Sequence, residues 1–185
     1  MKVRRGNRPA FETLVTKYNR PVINMIFHTI NDPVEAEDLA QNVFVQIWKT
    51  RSRYKPTAKF STWLFTIARN MCLNEIRRRA RHRAESLDQP PKETADGAEQ
   101  PVQVADPSAM TADDAALRVE LYAQVEVALR ALPEVQRTAM MLLRHKEMPY
   151  EDIAKVLGCS LSATKSIIHR ARDTLRMRLK PYLRS

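Results

Sequence analysis

Between Ser86 and Ala116 the chain reads SLDQPPKETADGAEQPVQVADPSAMTADDAA, and this segment sets how the rest is arranged. It carries four prolines (Pro90, Pro91, Pro101, Pro107), no aromatic residue, and seven acids against one lysine. A stretch so poor in bulky apolar groups buries too little surface to offset the entropy of ordering it. It is expected to be a flexible linker, with Asp113 and Asp114 opening the helix that follows. Fully extended it would span about 100 Å, and as a relaxed coil about 30 Å. The chain therefore divides into a module at 1–85, a linker at 86–116 and a module at 117–185.

Both modules are basic. Residues 1–85 hold 17 Lys/Arg and 7 Asp/Glu, and residues 117–185 hold 13 and 7. The acidic linker brings the net charge to +10, with a pI near 9.9. Such a surplus suits a polyanionic partner, because neutralising phosphates releases their counterions. Only three glycines occur, Gly6, Gly97 and Gly158. That excludes a Gly-rich phosphate loop and leaves few of the turns a multistranded sheet needs. With 44% apolar but only 6% aromatic residues, the expected fold is all-α, its cores built from Leu, Ile, Val, Ala and Met.

Cys72 and Cys159 make neither a disulfide framework nor a zinc pattern, so they read as buried thiols in a reducing cytoplasm. No apolar run is long enough to span a bilayer. The basic start, MKVRR, lacks the apolar stretch of a signal peptide. A cytoplasmic protein without membrane insertion is expected.

In the first module, Phe11 to Ile30 has helical spacing, with Pro21 as a point of kinking or splitting. Asp32, Pro33 and Glu35 form a capping-box start, Asp replacing the usual Ser or Thr. Ala36, Ala40, Val43, Phe44 and Ile47 then share one face, leaving Glu35, Asp38, Gln41, Asn42 and Gln46 on the other. A basic loop, KTRSRYKPTAKFS, leads to a long helix from Thr62 to Arg79. Leu64, Ile67, Ala68, Met71, Cys72 and Ile76 are its inward positions. Asn70 and Asn74 share an outer face, with Arg77 and Arg78 beyond. Asn reads base edges through paired donor and acceptor groups, and Arg holds phosphate or guanine. A favourable charge at the helix C-terminus accounts for one or two of the cations in RRRARHR, not for all of them.

In the second module, Leu117–Leu132 carries the stripe Leu121, Val125, Ala128, Leu129 and Leu132, and Pro133 opens a helix reaching His145. The most specific stretch is MPYEDIAKVLGCSLSATKSIIHRARDTLRMRL. Tyr150, Ile153, Ala154 and Leu157 make a short helix, and Gly158 sits where the chain must turn left-handed. Ser160, or Ser162, caps the next. There Thr164, Ile168, Ala171 and Leu175 face inward, and Lys165, Ser166, His169 and Arg170 outward. This is the pattern of a helix-turn-helix whose second helix enters the major groove.

Three stretches in this order, DPVEAEDLAQNVFVQIW, KFSTWLFTIARNMCLNEIRRR and LPEVQRTAMMLLRHKEMPYEDIAKVLGCSLSATKSIIHRARDTL, carry a resemblance to the extracytoplasmic-function group of sigma-70 family factors. It covers roughly residues 9–83 and 117–182. The resemblance implies a sigma-2 domain and a sigma-4 domain, core RNA polymerase and promoter DNA as partners, an anti-sigma factor as inhibitor, and no cofactor. It implies that Glu35, Asp38, Gln41 and Asn42 lie on the surface that docks on the polymerase beta-prime clamp helices. Asn70, Asn74, Arg77 and Arg78 fall to the −10 element, the 51–60 loop to capture of a flipped base, and Lys165, Ser166, His169 and Arg170 to the −35 element. The sigma-4 domain would also meet the beta flap. Ala163 and Ile167 depart from the Thr and Arg that many members carry there. The acidic linker is expected in or near a basic polymerase channel.

Two other classes compete. A stand-alone helix-turn-helix regulator would bind duplex tightly without polymerase. An enzyme such as a nuclease would need clustered carboxylates or a His/Asp constellation, whereas His28, His82, His145 and His169 are scattered.

Overall fold

The computed structural model describes residues 2–55, 59–86, 112–145 and 148–182. Most of the expected linker, and with it any path through a channel, lies outside these residues. After a 3-10 turn at Val3–Arg5 come α1 (Arg8–Ile30), α2 (Pro33–Thr50), a second 3-10 turn at Arg51–Arg53, α3 (Phe60–Ser86), α4 (Ala112–Arg130), α5 (Glu134–Arg144), α6 (Tyr150–Leu157) and α7 (Leu161–Leu179). No strand occurs among the described residues.

The first three helices form one bundle. Asn7 caps α1, accepting from the Ala10 N–H at 2.8 Å. Pro21 lies inside α1, which neither splits nor ends there. Asn31, at φ 56°, ends α1 in the left-handed conformation, and its N–H donates to Phe27 O. Asp32 immediately caps α2, its carboxylate accepting from the Glu35 N–H at 3.1 Å with Pro33 in the first turn. Val22, Met25 and Ile26 of α1, Ala36, Leu39, Ala40, Val43, Phe44 and Ile47 of α2, and Leu64, Ala68 and Cys72 of α3 fill the core.

The last four helices form the second bundle. The structure starts α4 at Ala112, so Asp113 and Asp114 fall in its first turn and the end of the acidic segment is already helical. Leu121 is exposed rather than part of the inward stripe, which here consists of Val125, Ala128, Leu129 and Leu132. Gly158 adopts φ 67° and closes α6 by donating its N–H to the carbonyls of Ala154 and Lys155. Ser160, not Ser162, caps α7 by accepting from the Ala163 N–H at 3.1 Å.

The two bundles are docked on each other. α5 lies against α1 and α6 against α3, and one apolar core runs through both. Phe65 of α3, 1% exposed, meets the His145 ring with centroids 5.0 Å apart. Met148 and Val156 are buried in the same core. Polar groups cross the seam between the bundles too: Thr29 and Thr138 hydroxyls are 3.5 Å apart, and Lys59 reaches Asp152 at 3.0 Å. Full burial of a side chain the size of Phe contributes about 1.5–3 kcal/mol, so Phe65 alone gives the docking a substantial apolar component.

Candidate nucleic-acid interface

Three surfaces are presented outward. The first is on α3. Burying Leu64, Ala68 and Cys72 against the bundle rotates Asn70, Asn74, Arg77 and Arg78 into solvent. Arg77 Nη1 donates to Asn74 Oδ1 at 3.3 Å, so this Asn and Arg act as one polar unit. Arg78 is held from its inner edge by Glu75, Nε to Oε2 at 2.7 Å and Nη2 to Oε1 at 2.8 Å. The sequence reading did not single out Glu75, which is buried and accepts from Arg79 as well.

An aromatic cluster gathers at the start of α3. Phe11 and Trp48 have ring centroids 5.0 Å apart, and Tyr54 sits 5.2 Å from Trp63 and 6.0 Å from Phe60. The Arg51 guanidinium stacks 4.3 Å over Trp48. Lys2, Arg4, Arg51, Tyr54, Phe60 and Trp63 line a cavity of about 340 Å³. Part of the 51–60 loop, residues 56–58, falls outside the described residues.

The second surface is on α7. Thr164, Ile168 and Ala171 are buried, which leaves Lys165, Ser166, His169 and Arg170 exposed together, as the periodicity requires. Ser166 Oγ donates to its own helix at Ser162 O, and His169 Nδ1 lies 2.9 Å from Asp173 Oδ2. Cys159 Sγ packs 3.2 Å from Thr164 Oγ at the turn between the two helices. Cys72 is fully buried. Burial, with the Glu134 carboxylate second, pushes its thiol up to about 12, so it is held protonated.

The third surface is the outer face of α2. Asp38, Gln41 and Asn42 are exposed on it, while Glu35 is half-buried with its carboxylate 3.7 Å from Arg79. Val34 and Val45, 73% and 48% exposed, flank the polar residues on this face. The sequence placed neither on the core face nor among the polar positions. Two bare valines beside an acid and two amides suit a protein partner better than a polyanion. No helix among the described residues is long and apolar enough to cross a membrane.

Comparison with known proteins identifies the family. Residues 14–82 match the family description "Sigma-70 region 2", and residues 122–175 match "Sigma-70, region 4". The RNA polymerase sigma-H factor of Pseudomonas aeruginosa is 33% identical over 99% of this chain and 93% of its own length. The ECF RNA polymerase sigma factor SigW of Bacillus subtilis is 28% identical over 97% and 94%. Among solved structures, the sigma factor RpoE of Bartonella quintana, seen in complex with the anti-sigma factor NepR, has the same fold. Its TM-score is 0.72 at 24% identity, over 92% of this chain and 97% of that one. The chain belongs to the sigma-70 family. Within it, the chain is an extracytoplasmic-function RNA polymerase sigma factor.

Proposed function

We propose that this sigma factor divides its work among the three surfaces. The 1–85 domain docks through Glu35, Asp38, Gln41 and Asn42 on the beta-prime clamp helices of core RNA polymerase. Asn70, Asn74, Arg77 and Arg78 of α3 then read the −10 element, on the non-template strand once it is melted. The aromatic and basic cavity at the start of α3 takes a flipped base, whose unstacking cost of a few kcal/mol is offset by stacking and edge hydrogen bonds. The 117–185 domain places α7 in the major groove at the −35 element through Lys165, Ser166, His169 and Arg170, and also binds the beta flap. The 86–116 segment lets the two domains reach sites that are far apart.

The observation that carries this reading is the pairing of two outward polar and basic faces, one on each bundle, with an acidic and apolar face on α2. The protein acts in the cytoplasm, as an initiation factor rather than an enzyme, in a stress or envelope response. An anti-sigma factor is its expected inhibitor, in keeping with the complex known for the Bartonella protein. The test is promoter binding with and without core polymerase. The free protein should bind duplex weakly, and core should confer specific binding. Tight specific binding by the protein alone would instead support a stand-alone regulator.

A further inference from the structure

Glu75 is a carboxylate in an unusual place, at the root of the most basic stretch of the chain. Its side chain is 9% exposed. It sits one residue after Asn74 and just before Arg77, Arg78 and Arg79. Its two oxygens take three hydrogen bonds: two from Arg78 (2.7 and 2.8 Å) and one from Arg79 Nε (2.8 Å). Hydrogen bonding from Arg78, with Arg79 adding to it, outweighs burial and holds the carboxyl below its usual range, so it is an anion at neutral pH.

The two arginines then diverge. Arg78 uses its Nε and one Nη2 proton on Glu75, and its side chain stays 53% exposed. The remaining N–H groups of a planar guanidinium gripped along that edge point away from the grip. Arg79 turns inward instead. Its Nη2 lies 3.3 Å from Asp32 Oδ2 and 3.7 Å from Glu35 Oε2, at the capped start of α2. One buried carboxylate thereby fixes an outward-facing cation on α3 and, through Arg79, ties α3 to the first turn of the α2 surface.

We propose that Glu75 is a positioning residue: it presets the Arg78 guanidinium for a DNA phosphate and holds the α3 face in register with the first turn of α2. This rests on the reading of α3 as the −10 face. A long arginine that is already ordered loses less side-chain entropy on meeting a phosphate. A phosphate approaching the free edge meets a cation whose position is already set, as bidentate recognition requires. An ordinary intrahelical Glu–Arg pair would explain the contact with Arg78 but not the bridge from Arg79 to α2.

The experiment is a double-mutant cycle on the full-length protein with core polymerase, measuring affinity for a promoter fragment recovered by run-off selection. Glu75→Gln keeps the shape and removes the charge. Circular dichroism melting of each variant confirms that it folds. Arg78→Ala should weaken promoter binding, and Glu75→Gln alone should weaken it roughly tenfold. In the Arg78→Ala background, Glu75→Gln should change affinity less than about twofold, because its effect runs through the missing guanidinium. An equal loss in both backgrounds, or no loss in the single Glu75→Gln variant while Arg78→Ala binds weakly, overturns the positioning role. An Arg78→Ala variant that binds like the parent overturns the reading of the α3 face itself, and the positioning role falls with it.

Discussion

Lys59 Nζ lies 3.0 Å from Asp152 Oδ2, an ion pair that joins the segment before α3 to the first helix of the helix-turn-helix. Lys155 approaches the same carboxylate at 3.4 Å. The pair is asymmetric: Lys59 is 62% exposed and Asp152 only 8%. Removing the lysine therefore leaves a second cation in place and costs under about 1 kcal/mol. Replacing Asp152 with Asn removes the buried member and should cost about 1–3 kcal/mol. Urea unfolding of the two variants checks the ranking.

The same carboxylate makes stability acid-sensitive. Burial alone would raise the Asp152 pKa, but Lys59 and Lys155 outweigh it and hold it below the ordinary 3.8. Glu75 is likewise held below 4.5. A group depressed in the folded state contributes stability above its unfolded pKa and loses it as pH falls through the folded value. Thermal melts should show stability from these groups held above pH 4.5 and falling away below it. Asp152→Asn should flatten the fall below pH 3.8.

His28 gives a second, separate pH response. It lies at the seam in reach of Glu126 and Arg130 of α4 and of Arg137 and Arg144 of α5. Burial lowers its pKa below 6.5; Glu126 opposes this, and the three arginines reinforce it. The folded protein thus holds His28 neutral at a pH where the unfolded chain has begun to take up a proton. Its contribution is complete above pH 6.5 and is lost as pH falls from 6.5 through the lower folded value. His28→Gln should remove the part of the melting-temperature slope that begins at pH 6.5, leaving the carboxylate-linked fall below pH 4.5.

The seam itself should be separable from the bundle cores. Leu64 and Phe65 are neighbours on α3, both essentially inaccessible, but Phe65 meets His145 across the seam. Leu64→Ala should cost about 2–5 kcal/mol and lower the stability of the first bundle. Phe65→Ala should loosen the docking and raise the radius of gyration in small-angle scattering under native conditions. An unchanged radius of gyration would contradict the role assigned to Phe65.

On α7, Lys165→Ala should weaken binding of the polymerase-bound protein to promoter DNA across many sequences. It should lower the slope of log affinity against log salt by about 1, as loss of one phosphate contact does. Arg170→Ala should also change sequence preference in the −35 region, as loss of a base-edge contact does.

Much of this was readable in the residues. The α2 core face, the Asp32 cap, the left-handed Gly158 and the outward set on α7 follow from local rules, because each depends on neighbours within one or two helical turns. The docking of the bundles does not. Phe65 and Val156 fall off the stripes read for α3 and α6, yet both lie in the core shared by the two bundles, where Phe65 meets His145. Asp152 reads as an ordinary first-turn acid of α6 until Lys59 is placed beside it. Glu75 was hidden for the opposite reason: in a run of arginines, a lone acid reads as a surface i,i+3 partner, and only the fold shows Arg79 bridging it to Asp32 at the start of α2. Val34 and Val45 left a signal that could have been used, since both are apolar positions off the α2 core stripe.

The central claim is that this protein gives core RNA polymerase its promoter specificity, and run-off transcription tests it most directly. Purified core polymerase would be presented with a promoter library, with and without the full-length protein. Initiation at defined start sites that depends on the protein, with shared sequence at both −10 and −35 among the selected promoters, is the predicted result. Absence of protein-dependent initiation, together with sequence-specific duplex binding by the protein alone, would contradict it.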